Sequence, residues 1–280
     1  MHTLVITKVV GNRTDNTWVS THGHKNSKRI DMMLQRIRAA LRLLYAALLT
    51  TGVVLVIAAV TWWKGYSPDF SLPFRKRWAR HLIHSMGIRI HQKGIPPTFP
   101  CLLLCNHRSH IDPILLLTEV MAFPVSKAEV EKWPLLGYGA KASGILYLRR
   151  ESLSSRGKTL ADIRTVIRSG FPILLFPEGT THGTPGTGPF QRGVFQLAAK
   201  EGIPIVPVAM EYPAKRFYWL DYTPFAAHFL QHFGQRRIPV QVSYGPEIRG
   251  EQALELLEKT QAWIDAELHQ MQAIIASLPD

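Results

Sequence analysis

The sequence is poor in cysteine: 280 residues contain two, Cys101 and Cys105, four apart in Cys-Leu-Leu-Leu-Cys. On a strand that spacing turns both thiols to one face, too far apart to bridge comfortably. A disulfide framework and a Cys-x-x-Cys metal or redox motif are excluded. Acidic residues are also scarce, 20 Asp and Glu against 33 Lys and Arg, for a formal net charge of +13. Such an excess calls for an anionic partner, whether nucleic acid, an anionic membrane or a phosphorylated substrate. The glycine-rich run Gly183–Gly188 lacks the Gly-Lys-Ser/Thr of a P-loop. No Gly-x-Ser-x-Gly elbow is present for a serine hydrolase. Internal repeats and low-complexity tracts are absent as well.

What is there begins with an apolar run. Leu43 to Trp63 contains no charged residue and is long enough to cross a bilayer core as a helix. Tyr45 and the Trp62-Trp63 pair resemble interfacial anchors at its two ends. Lys25, Lys28, Arg29, Arg36, Arg38 and Arg42 precede the run, and Lys64, Arg75, Lys76, Arg77 and Arg80 follow it. Charge that brackets an apolar segment suits lipid headgroups better than a nucleic-acid groove. No helix-groove motif or basic face interleaved with aromatics appears, so no nucleic-acid partner is expected. The basic residues are nearly balanced across the run, and Gly52 beside Thr50 and Thr51 is a possible bend. Spanning and re-entrant helices both remain open. Residues 1–31 are polar and without period, and are expected to form a disordered tail. Residues 32–66 are expected to form the membrane anchor, and 67–280 the catalytic domain.

Beyond Pro68 the pattern changes. Short apolar strands are expected at 102–104, 144–148, 172–176, 203–210 and 240–244. Helical segments are expected at 114–120, 159–168, 194–200 and 252–275. Alternation of this kind predicts an α/β fold with a mainly parallel sheet flanked by helices, in addition to the N-terminal membrane helix.

Asn106-His107-Arg108-Ser109-His110-Ile111-Asp112 is the most informative stretch, with an imidazole at a strand exit and a carboxylate at a helix start. Asp112 before Pro113 reads equally well as a simple N-cap. Alternatively, the five-residue step returns the carboxylate to the His107 ring, where it would fix the tautomer and stabilise an imidazolium. His107, His110 and Asp112 also form a possible set of metal ligands, though not at a spacing that announces one. Arg149 and Arg150 end a strand and can meet phosphate oxygens bidentately, or form a solvated pair. Phe176-Pro177-Glu178-Gly179-Thr180 follows a buried strand, at a turn whose amides can cradle an anion.

Together, from about residue 75 to 250, these pieces resemble the glycerolipid acyltransferases typified by lysophosphatidic acid acyltransferase. Four blocks stand in that family's order. Residues 106–112 look like its histidine-x4-aspartate block, Gly144–Arg150 like its second, Phe176–Thr180 like its third and Ile203–Val208 like its fourth. The resemblance implies His107 and Asp112 as the catalytic pair. It implies Arg150 as a ligand of the acceptor phosphate, and Glu178, Gly179 and Thr180 as the shape of the acceptor site. Two departures bear on the headgroup. Thr181 and His182 stand where the family often has arginine and serine, and Arg149 stands where an acidic residue is common.

The chemistry so implied is acyl transfer from a thioester to the free hydroxyl of a lysophospholipid, most simply 1-acyl-sn-glycerol-3-phosphate, without a covalent enzyme intermediate. Another lysolipid, such as a lyso-amino-acid lipid, is the alternative acceptor. A metal-dependent hydrolase is the rival reaction. The expected partners are membrane lipids, the lysophospholipid acceptor and the thioester donor. Acyl-CoA or acyl-ACP would be a cosubstrate, and no cofactor or metal is expected. The expected location is a membrane, such as a bacterial inner membrane, with the catalytic domain on its cytoplasmic face.

Overall fold

The computed structural model describes residues 17–127, 144–148, 153–220 and 223–277. In chain order these form α1 (Thr17–Lys64), α2 (Pro68–Ser85), β1 (Ile88–Lys93), β2 (Leu102–Cys105), α3 (Asp112–Leu117), β3 (Phe123–Lys127) and β4 (Leu146–Leu148). Then come α4 (Leu153–Arg168), β5 (Ile173–Leu175), α5 (Gly193–Glu201), β6 (Ile205–Glu211), α6 (Phe225–His232), β7 (Ile238–Tyr244) and α7 (Ala253–Ser277). The seven strands make one sheet in the order β1-β7-β6-β2-β5-β3-β4, parallel throughout except for the antiparallel β6–β7 pair. The expected mainly parallel α/β architecture is therefore the one observed.

Helices cover both faces because the central strands are apolar on both. Leu103 and Cys105 of β2 join Val206 and Val208 of β6 in one core, with Leu82, Leu115 and Phe229 from the helices above and Phe233 just after α6. Leu102 and Leu104, pointing the other way, join Ile205, Ile163, Phe195 and Leu268 in the second. The period-2 alternation of a strand thus builds two cores from one run of residues. Cys101 and Cys105 are free thiols in the same core, as their spacing requires.

Four elements have no counterpart in the sequence expectations: α2, β1, β3 and α6. Of these, β1 reads Ile-Arg-Ile-His-Gln-Lys, half polar, and its residues beyond Ile88 are partly or fully exposed at the sheet edge. The N-terminal helix also begins earlier than the anchor expected from the sequence. It runs unbroken from Thr17, so residues 17–31 continue it.

One helix among the described residues is long and apolar enough to cross a membrane, over Arg29–Lys64, with a mean hydropathy of 2.5 in its most apolar 18 residues. Its two faces differ. Leu41, Leu44, Leu48, Leu55 and Trp62 are exposed, whereas Leu43, Ala46 and Leu49 pack on the core. Arg38 Nη1 donates to Gly234 O at 2.7 Å, and Arg42 Nη1 donates to Phe233 O and Gln235 O at 2.7 Å each. These carbonyls follow α6, so the two guanidiniums cap that helix. Several basic residues expected to meet lipid headgroups are occupied within the fold. Arg75 is buried and donates to Ala122 O, Lys76 Nζ to Glu119 O at 2.6 Å and Arg80 Nε to Thr118 O at 2.8 Å. They hold the chain that leaves α3. Lys64 and Arg77 are exposed, with no such bond among the described residues.

Candidate active site

Neighbouring strands β5, β2 and β6 run parallel, so their C-terminal ends meet at one edge of the sheet. Open α/β sheets hold their ligands at that edge. Here the edge brings together His107 after β2, Glu178 after β5 and Tyr212 after β6.

The side chain of Asn106 fixes the first exit. Its Nδ2 donates to Met210 O at 2.9 Å, and its Oδ1 accepts from Met210 N at 2.8 Å, which ties the ends of β2 and β6 together. The chain then turns back, and His107 Nδ1 lies 2.8 Å from Asp112 Oδ2. A carboxylate only accepts, so Nδ1 carries the proton and Nε2 keeps its lone pair. The imidazole stacks on Phe176, centroids 4.2 Å apart at 24°. Its side chain is 19% exposed, whereas that of Asp112 is fully buried.

The simple N-cap reading of Asp112 does not hold. Its carboxylate caps no donor inside α3 but reaches back, with Oδ2 accepting from the amides of Arg108 at 2.6 Å and Ser109 at 2.8 Å. Oδ1 accepts from the Tyr212 hydroxyl at 2.7 Å. Burial, and then the Asp112 charge, hold the Tyr212 phenol well above its usual range, so it stays a donor.

Arg108 is fully buried and organises the opposite wall. Its Nη1 donates to His182 O at 3.0 Å and its Nη2 to Pro185 O at 3.0 Å, while Glu211 Oε2 lies 3.5 Å from Nη2. These bonds pin the glycine-rich loop over the site. Asp265 of α7 holds the same loop by accepting from Thr187 N at 2.7 Å.

The third block delivers its residues to the same edge. Glu178 is buried, and its Oε1 accepts from His107 N at 3.3 Å. Gly179 turns the chain at φ 73°, a conformation that favours glycine. Thr180 is exposed, and the Thr181 hydroxyl donates to Trp219 O at 2.5 Å. Arg149 and Arg150, expected at the acceptor phosphate, lie outside the described residues.

His110 takes a different direction from His107. Its ring sits against Phe225 at 4.3 Å and Trp219 at 5.1 Å, with His228 at 5.7 Å. Burial, and then His228 and His107, lower its pKa to about 3. A neutral, aromatic-boxed ring is a packing element. Among the described residues no three His, Cys, Asp or Glu side chains are grouped to hold a metal ion. His107, His110 and Asp112 are thus not a ligand set.

Sequence reasoning missed Tyr212, Glu211 and the role of Arg108. Only the sheet order, which sets β6 beside β2, carries that information. Its one trace in the chain is a polar Glu-Tyr pair closing an apolar strand.

These observations define a class by its architecture: an α/β domain with a histidine–aspartate pair at the edge of its sheet. Residues 87–211 match the family model described as Acyltransferase. The lyso-ornithine lipid O-acyltransferase of Pseudomonas aeruginosa is 34% identical over 147 residues, 50% of this chain and 55% of that protein. The chloroplastic 1-acyl-sn-glycerol-3-phosphate acyltransferase BAT2 of Brassica napus is 31% identical over 112 residues, 40% of this chain and 33% of that one. The chain thus spans between a third and about half the length of the curated relatives it matches. In fold it is similar to the crystal structure of the 1-acyl-sn-glycerophosphate acyltransferase PlsC from Thermotoga maritima. The TM-score is 0.56 at 17% identity, covering 83% of this chain and 98% of the other.

Proposed function

We propose that this protein transfers a fatty acyl group from a thioester to the free hydroxyl of a lysolipid, with His107 as general base. The observation that carries the reading is the 2.8 Å bond from His107 Nδ1 to a wholly buried Asp112. An alcohol is a poor nucleophile until it loses its proton in the transition state. His107 Nε2 takes that proton as the hydroxyl oxygen attacks the thioester carbonyl carbon. Asp112 then faces the imidazolium, held in place by its three other donors. As the carbon–sulfur bond breaks, the proton passes to the leaving thiolate and the base is restored. A histidine in this role contributes about 10²–10⁴ in rate. No side chain needs to be acylated, and the donor is acyl-CoA or acyl-ACP.

The exposed apolar face of α1 supports action at a membrane, where both lipid substrates reside. The domain then lies on the cytoplasmic side. For the acceptor, 1-acyl-sn-glycerol-3-phosphate with Arg150 on its phosphate is the reading implied by the blocks. A lyso-amino-acid lipid is the second reading, favoured by the 34% identity to a lyso-ornithine lipid enzyme. The test offers labelled acyl-CoA and acyl-ACP to the detergent-solubilised protein with a panel of lysolipids. A diacyl product that disappears with His107→Ala is expected. Transfer that persists in that variant would overturn the mechanism.

A further inference from the structure

The glycine-rich run Gly183–Gly188 has no part in the acyl-transfer step, yet polar side chains converge on it from two directions. On one side Arg108, the residue after the base, donates from Nη1 to His182 O at 3.0 Å and Gly186 O at 3.3 Å, and from Nη2 to Pro185 O at 3.0 Å. On the other side three residues of α7 reach it. Asp265 Oδ1 accepts from Thr187 N at 2.7 Å. Gln261 Nε2 donates to Thr187 Oγ1 at 3.0 Å and Gly188 O at 3.3 Å. Gln272 Nε2 donates at 2.8 Å to both Pro185 O and Glu211 Oε2. Gln272 and Arg108 thus share a carbonyl and a carboxylate. Positions 261, 265 and 272 fall on one helical face. The support is firm, because Leu256, Ile264, Leu268 and Met271 of the same helix are buried in the core.

The glycines answer to this crowding. A Cβ at residue 183 would stand 2.7 Å from Leu220, and one at 186 would stand 3.0 Å from Asp265. One at 188 would collide with the His182 ring. The loop in turn holds the base. His182 N donates to His107 O at 3.0 Å. The Gly188 amide bonds the Glu178 carboxyl, whose Oε1 accepts from His107 N at 3.3 Å. Both backbone polar groups of His107 therefore depend on this loop. Asp112 fixes the tautomer of the ring, and the loop fixes where the residue sits.

We propose that Gln261, Asp265 and Gln272 are positioning residues for the reaction: through the loop of residues 182–188 they hold the His107 backbone where the base must stand. These roles rest on the acyl-transfer reading above and extend its machinery to a helix beyond the matched residues 87–211.

The experiment uses the full-length protein in detergent, with labelled palmitoyl-CoA as donor and lysophosphatidic acid or a lyso-ornithine lipid as acceptor. Steady-state constants are taken at a temperature where circular dichroism shows every variant folded. Asp265→Ala combined with Gln272→Ala is expected to lower kcat by about 10- to 100-fold, the scale of a misplacement of about 1 Å at the reacting groups. KM for donor and acceptor should stay within about threefold of wild type, since neither side chain touches a substrate in this scheme. Asp265→Asn, whose Oδ1 still accepts from Thr187 N, should retain most of kcat, and each single alanine variant serves if the pair folds poorly. Lys93→Ala is the control for a general loosening of the helix. It removes the 2.8 Å ion pair between β1 and Glu267 of α7, and should lower the unfolding midpoint without changing kcat. A kcat within about twofold of wild type in the paired variant, a loss confined to KM, or an equal loss of kcat in Lys93→Ala would overturn the inference and leave the acyl-transfer reading standing. Failure of wild type to acylate either acceptor would instead overturn that reading, and the inference with it.

Discussion

Two buried carboxylates stand on either side of His107, and the fold treats them in opposite ways. Asp112 accepts from a ring nitrogen, two amides and a phenol, so both its oxygens are satisfied. Glu178 is nearly as buried, yet one of its oxygens has no donor among the described residues. Donors offset the cost of burying a charge; around Glu178 the backbone donors do not offset it, and burial raises the pKa. In the proposed reaction Asp112 orients the base, whereas one Glu178 oxygen lacks a donor among the described residues.

The strongest way to break this comparison is to remove the oriented pair. His107→Ala and Asp112→Asn are each expected to lower kcat by about 10²–10⁴ while the protein still folds. Steady-state turnover, with circular dichroism as the folding control, checks this. Activity within a few fold of wild type in either variant would mean that the pair is structural.

Next in size is Arg150, proposed for the acceptor phosphate. Arg150→Ala should raise KM for lysophosphatidic acid by about 10- to 100-fold and leave the thioester KM nearly unchanged, as loss of a charge-assisted bond predicts. An equal rise for an acceptor without phosphate would remove that role.

Tyr212→Phe sharpens the comparison from the Asp112 side. It deletes the donor to Oδ1 and gives Asp112 the same deficit that Glu178 has. A loss of about 1–3 kcal/mol in stability is expected, read from the thermal unfolding midpoint. An unchanged midpoint would show that this bond contributes nothing.

The smallest effect concerns pH. Glu178 rises from the ordinary 4.5 to about 7, so the folded state binds its proton more tightly than the unfolded chain. Its contribution to stability is full below about 4.5 and is lost as pH rises through about 7. Glu178→Gln should remove that component, and with it the fall in midpoint that it contributes between about 4.5 and 7. His110 acts with the opposite sign. Its pKa is lowered to about 3, so its contribution is present above about 6.5 and is lost as pH falls. The Gln variant should leave that acid limb in place. A Glu178→Gln curve parallel to wild type would mean that the carboxyl is not perturbed.

The first and third motif blocks were legible because each ends an apolar strand, and a strand exit is a local pattern. His107, Asp112 and the Glu178 turn follow from it. Asp112 shows the limit: the chain alone left open whether it caps a helix or faces the ring, and backbone geometry decided. The basic residues show a deeper limit. Arg75, Lys76, Arg80, Arg38 and Arg42 announce their charge but not their direction. Their acceptors are carbonyls between 38 and 196 positions away in sequence. Tyr212 was invisible for the same reason, its partner lying 100 positions earlier.

The caps that α1 places on α6 have a practical side. A helix that merely tethers can be cut off; this one is bound into the fold and cannot be cut without loss. Removing it would strip the carbonyls of Phe233, Gly234 and Gln235 of their guanidinium donors. It would also uncover the core surface under Leu43, Ala46 and Leu49. Gly234 lies so close to the Gln35 backbone that a single Cβ there would collide with it. Phe225 and His228 of α6, and Phe233 just beyond it, enclose His110, three residues from the base. The helix is therefore part of the fold as well as the proposed tether, and in that proposed membrane setting any tilt of it would bear on the wall beside His107.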